Sequence, residues 1–119
     1  MEDQNQFHNE LKMLMDKYVN DVYDCTKEFP KDELFGVTSQ IRRASLSVIL
    51  NYIEGYARGK ERDKVLKNFL EISYGSLKES KYLVYFSYKR NYLSKEDQDK
   101  LLKLSERIGA MLWGILRKL

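Results

Sequence analysis

Apolar side chains recur at alternating steps of three and four along most of this chain, and a single proline, Pro30, interrupts it. Such steps return to the same side of a backbone that turns about 100° per residue, so the rhythm writes amphipathic helices wherever it is sustained. Phe7, Leu11, Leu14, Tyr18, Val22 and Cys25 keep it through a first helix, expected over roughly residues 3 to 27. KEFPKDELFG then breaks the pattern. Pro30 cannot continue the helix but can open a new turn, where Asp32 and Glu33 would sit favourably near the positive end.

A second helix is expected from about residue 36 to Gly59, with the glycine as its stop. A third follows KERD, and Val65, Phe69, Ile72, Ser76, Ser80 and Leu83 read as its core-facing stripe. Gly75 and Ser76 offer small side chains where another helix could approach. RNYLSKED is the next break, with Ser94 as N-cap and Asp97 in the place of a capping-box acid. Leu101, Leu104, Ile108, Leu112, Ile115 and Leu119 make one stripe of the last helix, and Arg117 and Lys118 lie at its negative end. Four helices joined by short connections predict an all-α, antiparallel up-and-down four-helix bundle, one domain over residues 1–119 and elongated like a rod.

The bulk properties narrow the setting. No apolar run approaches the roughly 20 residues that a membrane span requires, and the first ten residues do not read as a signal peptide. Cys25 is the only cysteine, which precludes an internal disulfide and fits a reducing, cytoplasmic location. The net charge of +3 conceals a division: residues 1–36 carry −5, residues 40–67 carry +4 and residues 68–119 another +4. A surface of uneven potential permits a polyanionic partner, at a lower charge density than a dedicated nucleic-acid binder has.

The second helix poses a question of its own. Gln40, Arg43, Ser47, Asn51, Glu54 and Arg58 stack in one narrow polar ridge, while Ile41, Val48 and Tyr52 flank it on one side and Leu46, Leu50 and Ile53 on the other. One reading is a solvated face. The other is a contact, because a solvated stripe usually holds long Lys and Glu, whereas Ser47 and Asn51 are short and suit hydrogen bonds met across an interface. Opposite the core stripe assigned to the third helix fall Tyr74, Lys78, Lys81, Tyr82, Tyr85, Tyr88 and, if the helix extends that far, Tyr92. Tyrosine interleaved with lysine suits a subunit interface first, and base stacking beside phosphate neutralisation second. Gln40, Ser47, Asn51, Glu54, Tyr74, Tyr82, Tyr85 and Tyr88 are accordingly candidate oligomer contacts.

The stretch VYDCTKEFPKDELFGVTSQIRRASLSVILNYIEGYARG resembles the 23S ribosomal RNA intervening-sequence proteins, also labelled S23 ribosomal proteins. The residues that carry the resemblance are Phe29–Pro30, Glu33, Phe35–Gly36, Ser39 through Ala44, Ser47, Asn51, Glu54–Gly55 and Arg58, then Phe69–Leu70, Gly75–Ser76 and Glu79. It spans roughly residues 18 to 92. The resemblance implies an antiparallel four-helix bundle that closes into a ring-like homopentamer, with no known enzymatic activity. A related branch comprises accessory variability determinants of diversity-generating retroelements, basic pentamers that associate with a reverse transcriptase and nucleic acid. One departure stands out: members commonly carry proline, a small residue and asparagine after the Ser–Ile pair, where this chain has Ile49–Leu50–Asn51 after Ser47–Val48. Without that proline the second helix is expected to be straighter.

Catalytic signatures are weak. His8 is the only histidine and has no Cys or second His to complete an ordinary zinc site or a nucleophile pair. The Glu-x-x-His motif of di-iron bundles is missing, and GYARGKER lacks both the spacing and the preceding strand of a phosphate loop. The expectation is a protein without catalytic activity, metal or cofactor. The leading reading is a homo-oligomer that binds RNA or DNA through Arg42, Arg43, Arg58, Lys60, Arg62 and Lys64, with Lys78, Lys81, Lys89 and Arg90 as a second cluster. The alternative is a protein-interaction scaffold whose basic face docks onto a reverse transcriptase.

Overall fold

The computed structural model describes residues 2–119, with side chains from Gln4 onward. Four helices account for nearly all of it: α1 (Glu2–Cys25), α2 (Val37–Arg58), α3 (Asp63–Lys89) and α4 (Lys95–Leu116). A short 3-10 turn at Lys31–Glu33 follows Pro30, the one residue there that cannot donate a backbone hydrogen bond. Each helix runs antiparallel to the next and α4 returns beside α1, which is the up-and-down arrangement the periodicity predicts. The molecule measures 45 × 25 × 19 Å, and its radius of gyration is 14.8 Å. A compact chain of this length would give roughly 13.5 Å. It is a rod, as expected.

The punctuation agrees with local chemistry. The Ser94 hydroxyl accepts from the Asp97 backbone N–H at 3.0 Å, capping α4. Glu33 links the first turn to both neighbouring elements. One carboxylate oxygen accepts from the Val37 N–H at the start of α2, and the other accepts from the Tyr92 hydroxyl at 2.9 Å. Tyr92 therefore lies past the end of α3, where Asn91 adopts a left-handed φ of 66°. α2 runs unbroken through Ile49–Leu50–Asn51, consistent with the absent proline.

Leu11, Met15, Tyr18 and Val22 of α1 meet Ile41, Val48 and Tyr52 of α2, Leu70, Leu77 and Val84 of α3, and Leu101, Ile108 and Leu112 of α4. The stripes assigned to α1 and α4 all face this core, fully or in part. That of α3 is corrected. Its buried line is Leu70, Ser73, Leu77, Ser80, Val84 and Ser87, whereas Ile72 is half exposed. Apolarity alone misplaces the stripe because half of the buried positions are serines. Ser73 donates to the Val48 carbonyl of α2 at 2.6 Å, and Ser80 donates to the Leu77 carbonyl while meeting the Tyr18 hydroxyl at 2.8 Å. Ser73 and Ser80 are thereby satisfied, whereas the buried Ser87 hydroxyl has no hydrogen-bond partner among the described residues.

Of the two small residues expected to meet a helix, Ser76 does face α2, but at Gly75 an added Cβ would meet nothing within 4 Å. The glycines that a neighbouring helix crowds are Gly55 and Gly59. A Cβ on Gly55 would come 2.9 Å from the Phe69 Cβ, and one on Gly59 would come 2.6 Å from the Gly55 carbonyl and 2.7 Å from the Leu66 Cα. Gly59 does end α2, but with φ −92°, so space rather than a left-handed cap requires the glycine. The left-handed residue of this turn is Glu61, φ 62°.

Candidate binding and assembly surfaces

The cations proposed for nucleic acid do not form one patch. Arg42 is half-buried: its Nε donates to the Thr26 hydroxyl at 2.8 Å, and its guanidinium covers the Tyr23 ring at 4.8 Å. Arg43 pairs with Glu79 of α3 at 2.6 Å. Arg58 pairs with Glu54 one turn earlier at 2.5 Å. Arg43 and Arg58 stand roughly 22 Å apart along the axis of α2, at opposite ends of the rod. The set Arg42 to Lys64 is thus divided between two regions, because a helix separates along its axis what the sequence groups by charge.

At the α2–α3 turn the picture changes. Lys60, Arg62 and Lys64 are exposed, as is Lys67, and none has a carboxylate within 4 Å among the described residues. The end of α4 lies beside this turn, since Tyr56, Leu66, Arg117 and Lys118 line one cleft, and it adds those two cations. Within the turn itself Glu61 and Asp63 interleave with the cations. Lys67, Arg117 and Lys118 went unassigned in the sequence because nothing local shows that two segments fifty residues apart share one end of a bundle. In the second proposed cluster, Lys78 covers the Tyr74 ring at 5.2 Å and Lys81 faces Glu106 at 3.9 Å, while Lys89 and Arg90 are exposed where α3 ends.

Two residues of the polar ridge of α2, Arg43 and Ser47, bond to α3 within the same chain. Ser47 Oγ lies 2.9 Å from Ser76 Oγ, and the Asn51 amide donates to the carbonyl and hydroxyl of Ser47. With Arg43 on Glu79 and Glu54 on Arg58, only Gln40 of the ridge stands exposed with no side-chain partner among the described residues. Sequence reasoning makes Gln40, Ser47, Asn51 and Glu54 candidate contacts between subunits; in the structure Ser47 instead meets Ser76 of the same chain, because α3 packs against this side of α2. What α2 turns outward is the apolar row Leu46, Leu50 and Ile53, of which Leu50 is 53 % and Ile53 48 % exposed.

The tyrosines divide in the same way. Tyr74 packs towards Trp113 with ring centroids 6.4 Å apart, and Tyr88 is half-buried beneath Lys95. Tyr82 and Tyr85 point outward as a pair at 6.4 Å. Phe35, in the turn before α2, is 92 % exposed, and sequence reasoning did not single out its side chain. Its signal was available, in an aromatic placed just outside a helix start where no periodicity claims it for the core.

Away from these faces, His8 and the Tyr52 hydroxyl form a short hydrogen bond, and Tyr56 stacks edge-on against His8 at 4.9 Å. Burial, then the nearby Lys12 charge, lowers the His8 pKa. Burial likewise pushes the Tyr18 phenol up to about 12. Among the described residues no three of His, Cys, Asp or Glu converge to hold a metal ion, and no helix is long and apolar enough to cross a membrane.

Comparison with solved structures finds the same fold in a protein of unknown function from the S23 ribosomal protein family of Bacteroides thetaiotaomicron. It superposes with a TM-score of 0.83 at 19 % identity over 93 % of this chain and 98 % of that one. Comparison with curated proteins finds no match. A family model described as 23S rRNA-intervening sequence protein matches residues 8–114, nearly the whole length. With its helices, breaks and motif residues placed as above, the chain belongs to the 23S rRNA-intervening sequence protein family.

Proposed function

We propose that this protein is a non-catalytic, self-associating bundle that binds RNA or DNA through the basic end formed by the α2–α3 turn. The observation that carries the reading is the exposure of Lys60, Arg62 and Lys64 without carboxylate partners, with Lys67, Arg117 and Lys118 alongside. Cations left unpaired in the protein are the ones free to displace counterions from a phosphate backbone. Flexible lysines and an arginine in a turn, with no helix presented for a groove, supply affinity without base readout. Self-association is supported by Leu46, Leu50, Ile53, Tyr82, Tyr85 and Phe35, large apolar or aromatic side chains left in water by a single copy. The ring-like homopentamer implied by the family resemblance would multiply the basic end, and repeated weak contacts reinforce one another.

A second reading is supported by those same side chains. An apolar and aromatic surface suits a protein partner better than a phosphate backbone, and a scaffold that docks onto a reverse transcriptase would use it.

The deciding experiment measures binding of a labelled oligonucleotide between about 50 and 200 mM salt, for the wild type and for Lys60→Glu/Arg62→Glu/Lys64→Glu. The expected result is a steep loss of affinity with salt, and a log–log slope shallower by about two to three in the triple variant. Undetectable binding at low salt, or a slope unchanged by the three substitutions, sinks the nucleic-acid reading and leaves the scaffold.

A further inference from the structure

The same end of the bundle holds a cleft of about 550 Å³, within the range of small-molecule sites. Phe7, Tyr56, Leu66 and Ile115 line its walls, and among the described residues Arg117 and Lys118 are the charged side chains that line it, with no Asp or Glu. Gly114 also lines it, within α4, and a Cβ there would meet nothing within 4 Å. Glycine weakens a helix interior, and at this position it leaves the wall of the cleft open where any larger residue would narrow it. We infer that the cleft is a binding site for a small amphipathic monoanion, an apolar body carrying one carboxylate. The body would lie along the aromatic and aliphatic walls, and the carboxylate would sit at the mouth against Arg117 and Lys118. A neutral analogue loses that charge contact, and a cationic one meets repulsion at the mouth.

The site shares Arg117 and Lys118 with the basic end proposed for nucleic acid, but its test uses no nucleic acid and stands or falls apart from that reading. The protein is titrated calorimetrically at neutral pH with decanoate, decanol and decyltrimethylammonium. Decanoate is expected to bind saturably, decanol more weakly and the cation least. Gly114→Phe, whose ring would project into the cleft, removes decanoate binding while circular dichroism retains the helical signal. Arg117→Glu/Lys118→Glu, at two exposed positions, weakens decanoate about fivefold and leaves decanol unaffected. If Gly114→Phe does not fold, the charge-reversed protein alone decides. No heat with decanoate, decanoate binding no tighter than decanol binding, or decanoate affinity unchanged by the charge reversal overturns the proposal.

Discussion

The Ser47 hydroxyl on α2 lies 2.9 Å from the Ser76 hydroxyl on α3, one turn from the Arg43–Glu79 pair that also joins the two helices. These contacts lie within one protomer, and the apolar row Leu46, Leu50 and Ile53 beside them stays exposed, as do the aromatics Phe35, Tyr82 and Tyr85. Asn51→Arg would therefore strain the bundle itself before it reported on any neighbour, and the cleaner probes of assembly lie elsewhere.

Phe35 and Leu50 are those probes. Neither is needed by the core of one copy, so Phe35→Ser and Leu50→Glu should change the thermal midpoint of a dissociated protomer very little. Both should lower the mass in light scattering at micromolar concentration, as should Tyr85→Glu, because a charge or a hole at a packed contact weakens it by about 2 kcal/mol or more. A wild type that is already monomeric, or variants of unchanged mass, would remove these side chains from any interface.

Gly59 and Gly75 are predicted to respond in opposite directions to alanine. At Gly59 the new methyl meets backbone atoms of α2 and α3 that cannot swing away, and the overpacking should cost about 2 kcal/mol. At exposed Gly75 it meets nothing, so better helix propensity should stabilise by about 0.5–1 kcal/mol. Urea unfolding of the two variants checks both signs, and equal effects would mean that the α2–α3 approach lies elsewhere.

Arg43 and Glu79 form an exposed pair despite their short separation, with side chains 62 % and 47 % accessible. Solvent screening limits what such a pair contributes, so Arg43→Ala or Glu79→Ala should each cost no more than about 1 kcal/mol. A double-mutant cycle coupling near 3 kcal/mol would show that the pair is desolvated, as by a covering subunit.

His8 should make stability depend on pH in one direction. Its pKa is lowered in the folded protein, chiefly by burial, from the ordinary 6.5. The unfolded chain therefore binds a proton more readily. This contribution is fully present above about 6.5 and is lost as pH falls from there towards the lowered folded value. His8→Gln should flatten the fall of the thermal midpoint over that window relative to the wild type. A parallel pH profile for the two proteins would refute the shift.

Much of this architecture was readable beforehand, and the reason is that it is local. Helix number, the break at Pro30, the Ser94 cap and the inward stripes of α1 and α4 depend on residues within a few positions of one another, where backbone geometry and hydrogen-bonding capacity decide the outcome. What the tertiary structure alone decided is how each helix is turned about its axis and what it meets. The stripe of α3 moved because Ser73, Ser80 and Ser87 are buried where neighbouring helices pack close, Ser73 on the Val48 carbonyl and Ser80 on the Tyr18 hydroxyl. Arg43 and Ser47 of the α2 ridge acquired their partners from α3, and the basic cluster split because charge counted along a chain is not charge gathered in space. Periodicity sums the preferences of one helix; rotation, register and shared ends are properties of pairs.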